Sequence, residues 1–392
     1  MKLALVVQRY GAAIAGGSET HCRQLAERLA LAHDVTVLTT CAADYVTWKN
    51  ALRAGEQNEG GVRVVRFPVA HPRRLKAFAD LSDEVFAGGA SAEQQEAWFR
   101  ANGPEAPALL DHLRTHGREY DLALFWAFRY YPSYFGLPIV ADRAVLVPTA
   151  EEDPAIDLEV LHDYFQLPAG YLFLTPEEEA LVAQRAGRRL EPSAVVGSGL
   201  EAAGAPPSRQ ALDSLGIPTR FVLYLGRVDR NKGCQTLLEY FESYLAGGGD
   251  ATLVLAGPAT LRIPAHPRIR ALGYVTDAVR EALLDYARLL VVPSPYESLS
   301  IVLLEAWNHG VPALVNADCR VLEGQVRRAN GGLYYRSARE FSEGLHGLLL
   351  YDDLRDALGR QGRHYVDEQY RWPLVVTRVE RLLATVRSRR AD

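Results

Sequence analysis

The 392-residue chain is too long for one ordinary hydrophobic core and suits two domains of common size. Its 48% apolar and 23% charged residues exclude a disordered chain, and a net charge of −5 argues against nucleic-acid binding. Cys22, Cys41, Cys234 and Cys319 are scattered without a CxxC pair, which speaks against a disulfide framework or zinc site and fits a reducing cytoplasm. The opening MKLALVVQRY is broken by Gln8 and reads as a first strand, not a signal peptide. No uninterrupted run of about 18 apolar residues predicts a membrane span. Basic clusters at 71–76 and 387–390 leave a peripheral contact at the inner face of a membrane open.

In chain order, a strand over 3–7 leads into a loop holding Gly11, Gly16 and Gly17. Ser18 can cap the helix that follows, whose apolar stripe is Cys22, Leu25, Ala26 and Leu29, and a strand over 34–39 comes next. Strand, glycine loop, helix, strand is a βαβ unit, so the sheet is parallel and the loop lies at its carboxyl edge. Residues 41–117 are less regular, with a strand over 62–69 and a helical stretch over 91–114 broken at Gly103 and Pro104. Further strands start at Asp121, Ala144 and Gly170, and Thr175, Pro176 and Glu178 form a capping box.

A strand and turn over 194–199 and the linker-like EAAGAPPSR close a first domain, 1–198. The second, 199–373, repeats the alternation, with strands starting at Phe221, Ala251, Arg268 and Ala287 and a helix over 234–245. A final helical pattern over 375–386 is expected to pack back on the first domain as residues 374–392. Both domains read as α/β parallel sheets with their loops at carboxyl edges, and two such edges would face across a cleft.

Within PSPYESLSIVLLEAWNHGVP, residues 293–312, Glu297 and Glu305 stand eight positions apart. Pro293, Ser294 and Pro295 break the chain, Ser298 and Ser300 suit an N-cap, and Gly310 and Pro312 suit a stop. This places Glu297 on a loop and Glu305 two turns into a helix, an interval of roughly 12 Å. The first-turn amides between them can take an anion. A capped core helix with one acid on its exposed face would show the same pattern. Arg227, after Gly226 at a strand end, and Lys232 before Gly233 put two cations on one loop, suited to a diphosphate or equally to an ordinary basic turn. There is no DxD triplet, no GxSxG elbow, no GxGxxG and no GxxxxGK[ST] run.

Glu297 with Glu305, Gly226-Arg227 with Lys232-Gly233, Gly273-Tyr274-Val275, and Gly16-Gly17-Ser18-Glu19 together resemble the retaining glycosyltransferases of the GT-B fold, family 4 (glycosyl transferases group 1). The resemblance covers nearly the whole chain and is weakest over 50–117. It implies two Rossmann-like domains and a nucleotide diphosphate sugar as donor. With no DxD triplet and no His or carboxylate cluster at metal-ligand spacing, protein cations and not a metal are expected to carry the leaving charge, and no cofactor is expected. Arg227 and Lys232 would hold the diphosphate, Glu305 the ribose, and Glu297 the sugar hydroxyls. The amides of Leu299 and Ser300 would face sugar and phosphates, Gly273, Tyr274 and Val275 the base, and Gly16 and Gly17 the phosphates or acceptor.

Where such relatives carry a histidine after Pro148-Thr149-Ala150, this chain has Glu151, which can accept from a sugar hydroxyl but adds negative charge beside a diphosphate. Tyr10, Trp126 and Tyr130 are the acceptor-side candidates, in an aromatic group that equally suits a core. The implied acceptor is a glycan or lipid-linked hydroxyl in surface polysaccharide assembly. A nucleotide-sugar epimerase and a catalytically weak nucleotide-sugar-binding subunit are the rival readings, and nothing in the sequence sets an oligomeric state.

Overall fold

The computed structural model of the protein describes residues 1–14 and 16–391. The chain divides into two compact units, Met1–Gly197 with Val375–Asp392, and Ser198–Leu374.

The first unit is built on an eight-stranded sheet ordered β3-β4-β2-β1-β5-β6-β7-β8. Its strands are β1 (Lys2–Val6), β2 (Asp34–Thr40), β3 (Gly55–Glu59), β4 (Val62–Phe67), β5 (Leu122–Trp126), β6 (Ala144–Val147), β7 (Gly170–Phe173) and β8 (Ser193–Val195). All pair in parallel except β3, which runs antiparallel to β4. Leu3, Ala4, Leu5 and Val6 of β1 are all fully buried, as a continuous apolar run needs when helices cover both faces of a parallel sheet. β3, sequence GEQNE, carries no apolar alternation because it is a mostly exposed edge strand, and periodicity does not announce it. The helix Gly17–Leu29 buries Cys22, Leu25, Ala26 and Leu29, the stripe read from the sequence.

The stretch over 91–114 is two helices, Ala92–Asn102 and Pro107–His116, the first opened by a Ser91–Gln94 capping box. The last helix, Trp372–Ala391, starts earlier than its pattern suggested, and the expected end at 392 lies outside the described residues. From Val375 onward it belongs to the first unit, burying Val375, Val379, Leu382, Leu383 and Val386. There it crosses β7, where any side chain on Gly170 would collide with Val386, and Arg390 Nη1 donates to the Asp121 carbonyl at 2.8 Å.

The second unit holds a six-stranded sheet ordered β11-β10-β9-β12-β13-β14, parallel throughout. Its strands are β9 (Phe221–Leu225), β10 (Thr252–Ala256), β11 (Ile269–Gly273), β12 (Leu289–Val292), β13 (Ala313–Asn316) and β14 (Gly332–Tyr335). β13 and β14, each four residues long, went unread. With every strand pointing the same way, the loops after β9, β11 and β12 emerge at one carboxyl edge.

Candidate active site

β9 ends in a loop tied down by Asp229. One carboxylate oxygen of Asp229 accepts from the Lys232 amide at 2.8 Å, and the other pairs with Arg227 Nη1 at 3.1 Å. Gly233 then opens the helix Cys234–Ala246 at φ 69°, and a Cβ there would stand 2.2 Å from the Pro293 carbonyl oxygen. Glycine is therefore required by both conformation and space. The close approach seats the Lys232 loop against the loop after β12, and Lys232 Nζ donates to Glu297 Oε1 at 2.8 Å. The pair is partly sheltered, the lysine side chain 30% and the glutamate 12% exposed.

Ser300 is the N-cap of the helix Ile301–Asn308, but its side chain makes no capping bond. Its amide, expected to be free for a phosphate, instead faces the buried Gln325, whose Oε1 accepts at 3.4 Å. The Leu299 side chain is buried beside it. Glu305 sits one turn into this helix, not two, because the helix begins only at Ile301. Its carboxylate pairs with Arg280 of the helix Asp277–Tyr286. Burial pushes the Glu305 carboxyl above the usual range, against the pull of Arg280. On the same two helices His309 Nδ1 stands 2.7 Å from Asp285 and Nε2 3.2 Å from Glu281, a bridge that locks them together. At the end of β11 the Gly273 carbonyl already accepts from the Gly257 amide at 2.8 Å, Tyr274 is 84% exposed and Val275 half-buried.

In the first unit Gly16 is the N-cap of Gly17–Leu29, and a Cβ on it would lie 2.2 Å from Glu19 Oε2. Nothing lies within 4 Å of a Cβ on Gly17. Glu19 Oε1 takes two bonds from Arg9, from Nε at 2.9 Å and Nη2 at 2.6 Å.

Two acceptor candidates are corrected by burial. Trp126 is fully buried, its Nε1 donating to His21 Nδ1 at 3.1 Å, while His21 Nε2 donates to the Gly197 carbonyl. Burial lowers the His21 pKa to about 4, so it serves as a neutral bridge. Tyr10, 1% exposed, is likewise in the core. Neither has surface to offer a sugar. Tyr130 remains half-buried, edge-on to Trp48 at 5.6 Å.

Glu151 follows β6 beside Arg129, whose Nη2 is 3.7 Å from Glu151 Oε2 and whose Nη1 is 2.9 Å from Asp153 Oδ2. The extra negative charge expected here thus comes with its own counter-ion. Ala127 (φ 59°) and Thr149 (φ 47°), just past the ends of β5 and β6, both take the left-handed conformation, a strain that surrounding contacts must hold. One such contact is Glu178. Thr175 Oγ1 accepts from the Glu178 amide, as the capping box required. The fully buried Glu178 carboxylate also accepts from Ala150 N at 2.7 Å and Leu174 N at 2.6 Å.

Arg129, Asp229 and Arg280, together with the reach of the Glu178 carboxyl to Ala150, are thus the supporting features that sequence reasoning passed over. Asp229 had a local signal, an acid three residues before Lys232 in a turn. The other three act across elements. Among the described residues no group of three His, Cys, Asp or Glu side chains is placed to hold a metal ion.

Residues 219–350, which include Arg227, Lys232, Glu297 and Glu305, match the family described as Glycosyl transferases group 1. Over 95% of both chains the protein is 23% identical to an uncharacterized glycosyltransferase of Methanocaldococcus jannaschii. It is 26% identical to the alpha-D-kanosaminyltransferase of Streptomyces kanamyceticus over 35% of this chain and 38% of that one. Among solved structures it resembles sucrose-phosphate synthase from Thermosynechococcus elongatus, with TM-score 0.72, 18% identity and 99% of each chain covered. It also resembles Anabaena HepE in complex with UDP and glucose, with TM-score 0.72, 16% identity and 98% and 100% covered. The similarity to that family thus falls on the second unit, and the two units have the GT-B fold.

Proposed function

We propose that the protein is a retaining, metal-independent glycosyltransferase that moves a hexose from a nucleotide diphosphate sugar to a hydroxyl of a glycan or lipid-linked acceptor. The observation that carries this reading is the set Arg227, Lys232, Glu297 and Glu305 on one carboxyl edge, two cations and two carboxylates within the matched domain. The UDP and glucose in the HepE complex support the same donor class.

In this reading Arg227 and Lys232 take the diphosphate and absorb charge on the leaving oxygen, the work that preorganised donors do best. Glu305, steadied by Arg280, accepts from ribose hydroxyls. Glu297 accepts from sugar hydroxyls, and Glu151 and Tyr130 of the first unit are proposed to meet sugar. The bond between the anomeric carbon and the leaving phosphate oxygen breaks, the acceptor oxygen bonds to that carbon on the same face, and the acceptor proton passes to the leaving phosphate. No protein nucleophile is needed, in keeping with the missing nucleophile motif. No helix is long and apolar enough to cross a membrane, and a role in surface polysaccharide assembly at the cytoplasmic face belongs to the proposal.

Thermal-shift titration with UDP-, GDP-, ADP- and TDP-sugars tests it, because a bound donor stabilises the folded state by mass action. One series should raise the melting temperature, transfer should survive EDTA, and NMR should show the donor's anomeric configuration kept in the product. A flat response to every donor would overturn the reading. A new stereoisomer formed without acceptor would favour an epimerase, and binding without transfer or hydrolysis would favour a binding subunit.

A further inference from the structure

The donor edge of the second unit is closed on itself. Lys232 Nζ lies 2.8 Å from Glu297 Oε1, and the glutamate is the more buried partner. The two loops cannot drift apart to relax this contact. Asp229 fixes the Lys232 backbone, Gly233 lies against the Pro293 carbonyl, and Asn316 Nδ2 donates to that same carbonyl at 3.3 Å. A diphosphate that takes the Lys232 ammonium must therefore take it from Glu297 by side-chain movement alone. The Glu297 carboxylate is then left sheltered, without its cation and beside an anion, which is costly unless other donors replace the lysine. Hydroxyls of a donor sugar are such donors, and a bare nucleoside diphosphate brings none to that position. Arg227 behaves differently, because its guanidinium pairs with Asp229 on its own loop and its side chain is 41% exposed.

Resting on the donor reading above, we propose that Glu297 discriminates loaded donor from spent nucleotide by competing with the diphosphate for Lys232. With sugar present, its hydroxyls satisfy Glu297 and Lys232 is released to the diphosphate. Once the sugar has left, Glu297 recaptures Lys232 and the nucleoside diphosphate is displaced. The glutamate thus works in two directions, for sugar recognition and against product retention.

The test is calorimetric titration of UDP, GDP, ADP and TDP into the wild-type protein and the Glu297→Gln and Glu297→Ala variants, with folding of each checked by circular dichroism. Removing the competing charge should tighten binding of the bare diphosphate by about fivefold, the scale of one partly exposed ion pair. The intact nucleotide sugar should gain nothing or lose affinity, and Lys232→Ala should abolish the gain when combined with Glu297→Gln. If a diphosphate binds the wild type and either folded variant binds it no tighter, the competition is disproved while the donor site stands. If none of the four binds the wild type or either folded Glu297 variant, the donor reading falls and the competition falls with it.

Discussion

A Cβ on Gly233 would stand 2.2 Å from the Pro293 carbonyl oxygen, so the cationic loop after β9 and the acidic loop after β12 meet backbone against backbone beneath their Lys232–Glu297 ion pair. At φ 69° the position also resists any L side chain. Gly233→Ala should lower stability by about 1–3 kcal/mol in denaturant unfolding and raise KM for the donor, because Lys232 shifts with its neighbour. Wild-type stability and KM in this variant would show that the two loops are not coupled.

Glu305 and Arg280 make a sharper pair of expectations. Glu305→Ala should weaken binding of the bare nucleoside diphosphate by about tenfold or more, the scale of a hydrogen bond to a charged group. Glu297→Ala should not weaken it. The reverse order, read by calorimetry, would mean the nucleotide and sugar ends are exchanged. Arg280→Ala should cost about 2–3 kcal/mol of stability, since it leaves the Glu305 carboxylate sheltered without a counter-ion.

Glu178 sets a pH dependence. Burial pushes its carboxyl up to about 8, opposed by the amides of Leu174, Ala150 and Thr175. An acid whose folded pKa lies above its unfolded value binds more protons when folded, so its contribution is complete below the unfolded pKa. That contribution is lost as pH rises toward 8, by at most about 1.4 kcal/mol per pH unit. The stability difference between wild type and Glu178→Gln, measured by urea unfolding from pH 5 to 8, should move against the wild type as pH rises. A constant difference would show that Glu178 is ionised throughout.

Glu151→Ala should reduce turnover by about tenfold if the carboxylate accepts from a sugar hydroxyl. Unchanged donor affinity and turnover would remove Glu151 from the site. Arg129→Ala should be worse than Glu151→Ala, because it strands Glu151 and Asp153 together without their shared cation.

The strand ends were legible because they are local. FVLYLGR and ARLLVVPSP each announce a buried strand and the loop that leaves it, so Arg227, Lys232 and Glu297 could be placed on one edge from spacing alone. Arg280 could not. Within DAVREALLDY a cation at a helical position looks like a solvated face, and its partner Glu305 lies 25 residues on, on another helix. Glu178 was legible as half of a capping box, but its carboxylate reaches Ala150, 28 residues earlier, a contact that depends on how β6 and β7 lie side by side. Trp126 misled for the complementary reason. An aromatic residue at a strand's end faces ligand or core according to what packs over it, and here His21 arrives from a helix more than 100 residues away.

The return of the last helix to the first unit bears on how the protein is made. That unit takes its residues from both ends of the chain, whereas the second is continuous in sequence. On the ribosome the second unit can finish folding while the first still lacks the segment that covers β7 around Gly170. A gene cut after Gly197 would yield a fragment exposing the apolar surface meant for Val375, Val379, Leu383 and Val386, prone to aggregate when expressed alone. Supplying residues 375–391 through a short linker should restore its solubility.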